Sequence, residues 1–370
     1  MATGSPGKNI LYFALPVFAG NLFQQIYNVV DTVIVGKFVS TEALAAVGST
    51  GTINFMILGF MTGLMAGITV LTSQRFGAED MRGMRRSVAS AGMIAIAATI
   101  ILTAISLLGM HRLLVLMNTP DDIFDDAYRY IMIICAGILV QALYNLFACI
   151  LRALGNSKVP LYFLLFSASM NIILDLVSII VLKMGVAGAA YATVISQGVS
   201  AVLCFIYMVK KVPILHLTRE DFHIEGRLIK NQLAVGLPMA FQYSITAIGT
   251  TMVQMALNTL GSTYVAAFTA ASKCEQMAGQ AYIALGSAMA TFAAQNVGAG
   301  RYDRVRKGFA RATMFGVIFS VVIGLVMYFF GYIVTGLFVT GDATQIEGMV
   351  DTYMKYTALF LIPLTVVNVY

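Results

Sequence analysis

The chain of 370 residues contains no tryptophan, three histidines and four cysteines, and only 11% of its positions are charged. Soluble domains carry about 25% charged residues, so a globule of this length would lack the polar groups to clothe its exterior. A soluble enzyme is excluded on that ground, and a disordered chain by the 59% hydrophobic content. Cys135, Cys149, Cys204 and Cys274 stand singly in apolar stretches, with no Cys-x-x-Cys and no Cys/His spacing. Neither a structural zinc nor a disulfide framework is expected from them. Three histidines are thin material for a metal centre, and one of them, His216, lies in a charged linker. A membrane-embedded enzyme would need a His/Glu or Cys/His constellation within its apolar segments, and the sequence has none. No catalytic residue and no cofactor is expected.

What the sequence has in quantity is uninterrupted apolar chain. A helix needs about 20 apolar residues to cross the bilayer core. Ten windows meet that length: 11–35, 44–72, 88–108, 130–151, 159–182, 186–209, 233–257, 265–294, 309–337 and one opening at Tyr353. Continuous apolarity, rather than alternation, argues for helices over a barrel. The expected fold class is an all-α polytopic membrane protein. Its net charge of +6 does not point to nucleic acid. The bases come in short clusters between apolar runs, such as Arg82, Arg85, Arg86 and Arg301, Arg304, Arg306, Lys307. Most of the 23 Lys and Arg fall in connections on the side of the N-terminus. The opposite side carries Asp121, Asp122, Asp125 and Asp126. The positive-inside rule therefore puts the N-terminus in the cytoplasm.

The sequence also repeats itself. Leu15-Pro16 recurs as Leu237-Pro238, and Gln74-x-x-Gly77-Ala78 recurs as Gln295-x-x-Gly298-Ala299, each before a basic cluster and a new apolar run. Six windows separate the halves, so both enter the membrane from the same side, which is a parallel repeat. The expected lobes are 1–215, with six spans, and 226–370, with four. Two further spans are expected to complete the second lobe, making this chain ten helices of twelve.

Ionisable residues within membrane spans are costly and therefore informative. Asp31 shares a helical stripe with Gln24, Tyr27 and Asn28, and Asn171 and Asp175 stand one turn apart with Ser167 and Ser178 on their face. Thr193 and Gln197 do the same after the small-residue run Ala187-Gly188-Ala189-Ala190, which permits close helix packing. Two acids with amide and hydroxyl neighbours can exchange protons or hold a small hard cation through oxygen. The bland reading, interhelical glue, suits the Asn, Ser and Thr alone better than it suits two deep acids. Lys273 and Glu275, two apart and off a common face, give a weaker site, and Glu275 is kept as a cavity candidate.

Several stretches together resemble the multidrug and toxic compound extrusion (MATE) transporters, most closely the bacterial DinF-like and Firmicute branch. They are Leu15-Pro16, then Asn21-Leu-Phe-Gln-Gln-Ile-Tyr27-Asn-Val-Val-Asp31-Thr-Val-Ile-Val-Gly36, Leu44-Ala-Ala-Val-Gly48, Arg152-Ala-Leu-Gly155-Asn, Asn171-Ile-Ile-Leu-Asp175 and Gly185-Val-Ala-Gly-Ala-Ala-Tyr-Ala-Thr193. The resemblance implies a two-lobed bundle around a central cavity, in a monomer held in the bacterial inner (cytoplasmic) membrane. It implies antiport by alternating access, with cationic or amphipathic organic compounds exported in exchange for H⁺ or Na⁺. It further implies that Tyr27, Asp31, Asn171, Asp175 and Thr193 form the cation-coupling set, with Na⁺ held at Asp31, Asn171 and Asp175. Pro16 would be a hinge, and Gln24 and Asn145 would face the drug. The seventh window departs from some branches in carrying no acid, which disfavours a second cation mechanism in the C-lobe. The alternative is a lipid-linked oligosaccharide flippase of the same broader superfamily. Such a flippase would call for more cavity cations than Lys273 offers.

Overall fold

In lipid no water satisfies backbone N–H and C=O groups, so an apolar run must close its hydrogen bonds within a helix. The computed structural model describes residues 1–223, 225–258, 262–338 and 344–370, which form helices and, among the described residues, no strand. In order they are α1 (Pro6–Phe38), α2 (Thr41–Ile68), the short α3 (Val70–Gly77) and α4 (Met81–Leu116). Next come α5 (Asp121–Ala136), α6 (Ile138–Ala153), α7 (Lys158–Leu176) and α8 (Val186–Lys211). The remainder are α9 (Gly226–Asn258), α10 (Ser262–Gly298), α11 (Tyr302–Phe338) and α12 (Thr344–Val369).

The order is that of the ten windows, with two refinements. The window 44–72 divides into α2 and α3, and 130–151 runs over α5 and α6, which bend by 48° at Gly137. A Cβ at Gly137 would stand 2.4 Å from a methyl of Val194, so only glycine lets α8 come this close. Five segments are by themselves long and apolar enough to cross a bilayer: Thr41–Gly77, Met81–Leu116, Lys158–Val181, Val186–Lys211 and Tyr302–Phe329. The bent pair makes a sixth. The protein is thus a multi-pass membrane protein. The helices α1, α9, α10 and α12 have the length, at 33, 33, 37 and 26 residues, but more polar residues.

The chain packs into two compact units, Phe23–Ala247 and Met1–Leu22 with Ile248–Tyr370. These are not the expected lobes 1–215 and 226–370: the boundaries fall inside α1 and α9, each shortly after its internal proline, Pro16 and Pro238. The packing of the leading half of each helix explains the difference.

In the unit Phe23–Ala247 the first part of α9 lies against α2 at backbone distance. A Cβ on Gly63 would meet the Met239 carbonyl oxygen at 2.4 Å, and one on Gly67 the Gly236 Cα at 2.5 Å. Buried Gln232 donates from Nε2 to the carbonyls of Ile68 (3.1 Å) and Ser87 (2.8 Å), so an open end of α2 gains a partner. The linker ahead of α9 is tied to the first basic cluster by Arg82–Glu220 (3.5 Å), Arg85–Asp221 (3.6 Å) and Arg86–Glu225 (2.5 Å). Burial pushes the Asp221 carboxyl up. The Thr218 amide and hydroxyl, with Arg85 and Arg86, outweigh that and hold it below the ordinary carboxylate range.

The other unit uses the same device. Ile10, Phe13, Ala14 and Val17 of α1 pack on Ala284, Leu285, Ala288 and Phe292 of α10 and Ala312 of α11. Arg301 donates to the Ala2 carbonyl and Arg304 to the Gly4 carbonyl, both at 2.8 Å. In each unit, then, the segment entering a leading helix is fastened to the Gln-x-x-Gly-Ala corner of the opposite sequence half.

Two outcomes follow from this packing. Gly67→Val should lower the unfolding midpoint by the equivalent of about 1–3 kcal/mol, the usual cost of overpacking, whereas Gly48→Ala, with open space at its Cβ, should not. The buried thiols of Cys135, Cys149 and Cys204 give the readout, as a thiol-reactive dye reaches them only on unfolding. The Asp221 carboxyl is depressed in the fold, so its contribution is complete above the ordinary value of 3.8 and disappears as pH falls through the lower folded value. Amide exchange at Thr218, corrected for its intrinsic rate, should be slow and constant at neutral pH and accelerate only in that acid window. Asp221→Asn should accelerate it at every pH.

Candidate functional site

The site grows from three helices of the unit Phe23–Ala247. On α1, positions 27 and 31 are one turn apart, and Tyr27 and Asp31 are half-buried while Gln24 and Asn28 on the same stripe are exposed. On α7, Asn171 is 2% exposed and Asp175 is fully buried. Directly after Asp175 the helix widens into a π-turn, Val177–Val181, a departure that often marks functional sites because it re-aims side chains. Ser178 folds back onto the Leu174 carbonyl within that turn. Gly185, at φ +59°, lets the chain reverse into α8. There a Cβ on Gly188 would lie 2.9 Å from Cβ of Ser178, so the small-residue run does bring α8 against the end of α7. Thr193 and Gln197 are carried in with it.

The carboxyl groups of Asp31 and Asp175 stand within hydrogen-bonding reach of one another. The Asn171 amide reaches Thr193 Oγ1 at 3.4 Å, and Tyr27 lies beside Gln24 and Gln197. When the acids are ionised, four buried oxygens have no donor among the described residues: Asp31 Oδ1, Asn171 Oδ1 and both oxygens of Asp175. Two bare carboxylates at about 4 Å repel by roughly 4 kcal/mol even at an effective dielectric of about 20. A single neutral hydrogen bond returns about 1 kcal/mol, too little to offset that. The pair must therefore hold a proton between its oxygens or take a cation. The donor set fits a small hard cation, since it is all oxygen. No cluster of three or more His, Cys, Asp or Glu suited to a metal ion occurs among the described residues.

One group at this site was not singled out from sequence. Tyr130 of α5, 6% exposed, lies close enough to Tyr27, Asp31 and Asp175 to feel their charge. Gln197 was visible as a polar position but not as a neighbour of Tyr27. The bend at Gly137 is what aims α5 and α6 differently, and Tyr130, at the edge of its apolar window, has only apolar residues at helical spacing within that window.

The residues expected to face the cavity or to act as a hinge lie apart from the cluster, Gln24 excepted. Asn145 spends its amide on its own helix, donating to the Gln141 carbonyl at 2.9 Å. Glu275 belongs to the other unit, where Oε2 accepts from the Tyr353 hydroxyl at 2.7 Å and Tyr353 stands edge-on to Phe268 with centroids 5.5 Å apart. Lys273 is exposed and is in no ion pair among the described residues. Pro16, half-buried, falls in the leading part of α1 with the unit Met1–Leu22, and α1 continues through it as one helix.

The MatE family model matches residues 16–177 and 238–370. "Probable multidrug resistance protein YpnP" of Bacillus subtilis is 30% identical over 358 residues, covering 96% of this chain and 79% of its own length. "Probable multidrug resistance protein NorM" of Thermotoga maritima is 24% identical over 351 residues, covering 92% of this chain and 74% of its own. A solved structure described as the outward-facing conformation of a multidrug resistance MATE family transporter superposes with TM-score 0.90 at 23% identity. It covers 99% of this chain and 83% of that one. At that identity the likeness is one of fold.

Whether the acid pair is interhelical glue or a working site is separable by stability. Asp175→Asn removes a carboxyl that must take up a proton or a cation to sit there and gives Asp31 a permanent donor, so it should raise the unfolding midpoint by the equivalent of about 1–3 kcal/mol. A fall of that size would instead identify the pair as structural.

Proposed function

The chain belongs to the MatE family, a family of transporters and not enzymes, and from that membership we propose that it exports small organic compounds in exchange for H⁺ or Na⁺ by alternating access. The observation that carries the coupling is the carboxyl-to-carboxyl contact of Asp31 and Asp175 beside oxygens without donors. A pair that must hold a proton or a cation is a ready coupling element. Exchange requires two conformations that differ in affinity for that ion, because only a differential interaction can shift the equilibrium between them.

Tyr27, Asn171 and Thr193 position the pair and complete its oxygen shell, and Na⁺ would sit at Asp31, Asn171 and Asp175. Pro16 supports a hinge role: proline removes a helix hydrogen bond, and the compact-unit boundary follows it closely along α1. Gln24, exposed, and Asn145, half-buried, are the cavity candidates of the first half. In the second, Glu275 with the Tyr353 and Phe268 rings offers charge and aromatic faces to an organic cation. The protein works as a monomer in the bacterial inner membrane with its N-terminus, and the basic corners, in the cytoplasm.

The test is substrate efflux from proteoliposomes under an imposed pH gradient or an imposed Na⁺ gradient, not both. One gradient should drive export, and Asp31→Asn or Asp175→Asn should each reduce the driven rate at least about tenfold with substrate still bound. Native rates in both variants would overturn the assignment.

A further inference from the structure

We propose that a phospholipid with an anionic headgroup docks on the outer face of the unit Phe23–Ala247, its chain in the α6–α8 seam and its phosphate on Lys210, Lys211 and Arg219. This is independent of the ion coupling proposed above.

Two apolar hollows follow one another along that seam. The first, about 370 Å³, is walled by Val140 and Leu143 on α6 and by Gly198, Val199 and Val202 on α8. The second, about 170 Å³, is lined by Gly92 and Ile96 of α4, Phe147 and Ile150 of α6, and Phe205 and Val209 of α8. Leu217 and Phe222 of the linker also line it. The Phe147 and Phe205 rings, 5.6 Å apart, form a floor between the helices. From 198 to 209 the seam runs about 17 Å at ~1.5 Å per residue. That is close to half of the ~30 Å hydrocarbon core, the depth of one leaflet. A Cβ at Gly92 would meet nothing within 4 Å, so the hollow is open there.

The charge at the mouth is one-sided. Lys210 and Lys211 end α8 and Arg219 follows in the linker; all three are exposed and in no ion pair among the described residues. The neighbouring acids are already engaged, Glu220 with Arg82 and Asp221 with Arg85. Three free bases at the end of an apolar slot one leaflet deep match a headgroup with net negative charge over an acyl chain. A zwitterionic headgroup would bring its own cation to the same bases and gain less.

The absence of native tryptophan makes the test clean. Phe222→Trp, at an exposed position on the slot, introduces a single tryptophan, excited selectively over the 17 tyrosines, whose emission a brominated lipid chain quenches on contact. The chain is reconstituted in vesicles of phosphatidylcholine with rising brominated phosphatidylglycerol, or with brominated phosphatidylcholine instead. Half-maximal quenching should need about tenfold less of the glycerol lipid. Lys210→Gln/Lys211→Gln/Arg219→Gln should erase that preference, whereas Arg227→Gln/Lys230→Gln should keep it. Gly92→Leu should weaken quenching by both lipids. Equal quenching by the two lipids in the parent, a preference that survives the triple substitution, or one lost equally in the Arg227/Lys230 variant would overturn the site. Displacement of the quencher by inorganic phosphate would replace the lipid with a free anion as occupant, and would overturn it too.

Discussion

Two carboxyl groups held against each other out of water are unstable as a pair of bare charges, and the architecture around Asp31 and Asp175 follows from keeping them there. The repulsion is several times larger than any one hydrogen bond can return, so the neighbours hold the pair by geometry. The π-turn follows Asp175 directly and folds Ser178 back onto the Leu174 carbonyl. The small residues Ala187, Gly188, Ala189 and Ala190 let α8 press against the turn, bringing Thr193 to Asn171. Gly137 gives way to Val194 so that α8 can also close on α5, whose Tyr130 completes the wall. Removing one of the two carboxyls would relax the unit.

A second constraint is the route of the chain. The leading parts of α1 and α9 each belong to a compact unit made mostly from the other sequence half. Backbone-distance glycine contacts at Gly63 and Gly67, the Gln232 bridge and the linker ion pairs hold one of these segments. An apolar face and the bonds of Arg301 and Arg304 to main-chain carbonyls hold the other. The repeated Gln-x-x-Gly-Ala corners acquire a physical role this way, as docking points at the start of both leading helices.

Much of the site was legible in sequence because it rests on local periodicity. Tyr27 and Asp31, Asn171 and Asp175, and Thr193 and Gln197 are each one turn apart, and an acid in an apolar window stands out by its cost. What was not legible depends on contacts between distant segments. The polar neighbour of Tyr130 at helical spacing, Asp126, belongs to the acidic stretch ahead of the apolar window, so nothing ties Tyr130 to the site until α5 is seen beside α1 and α7. The partner of Glu275, Tyr353, lies across 78 positions, and Asn145 turned out to bond its own helix. The unit boundaries inside α1 and α9 could not be read from a linker rich in charge, because the linker is itself strapped down by Arg82, Arg85 and Arg86.

Coupling is reciprocal: if an ion gradient drives a substrate, a substrate gradient must drive the ion. The most direct measurement is therefore cation movement across proteoliposomes given a substrate gradient and no ion gradient, followed with a pH-sensitive dye and with labelled Na⁺. A counter-flow of one of these ions is predicted for the native protein, and none for Asp175→Asn with substrate binding retained. Substrate movement without any cation counter-flow, or an undiminished counter-flow in Asp175→Asn, would contradict a coupling role for the acid pair.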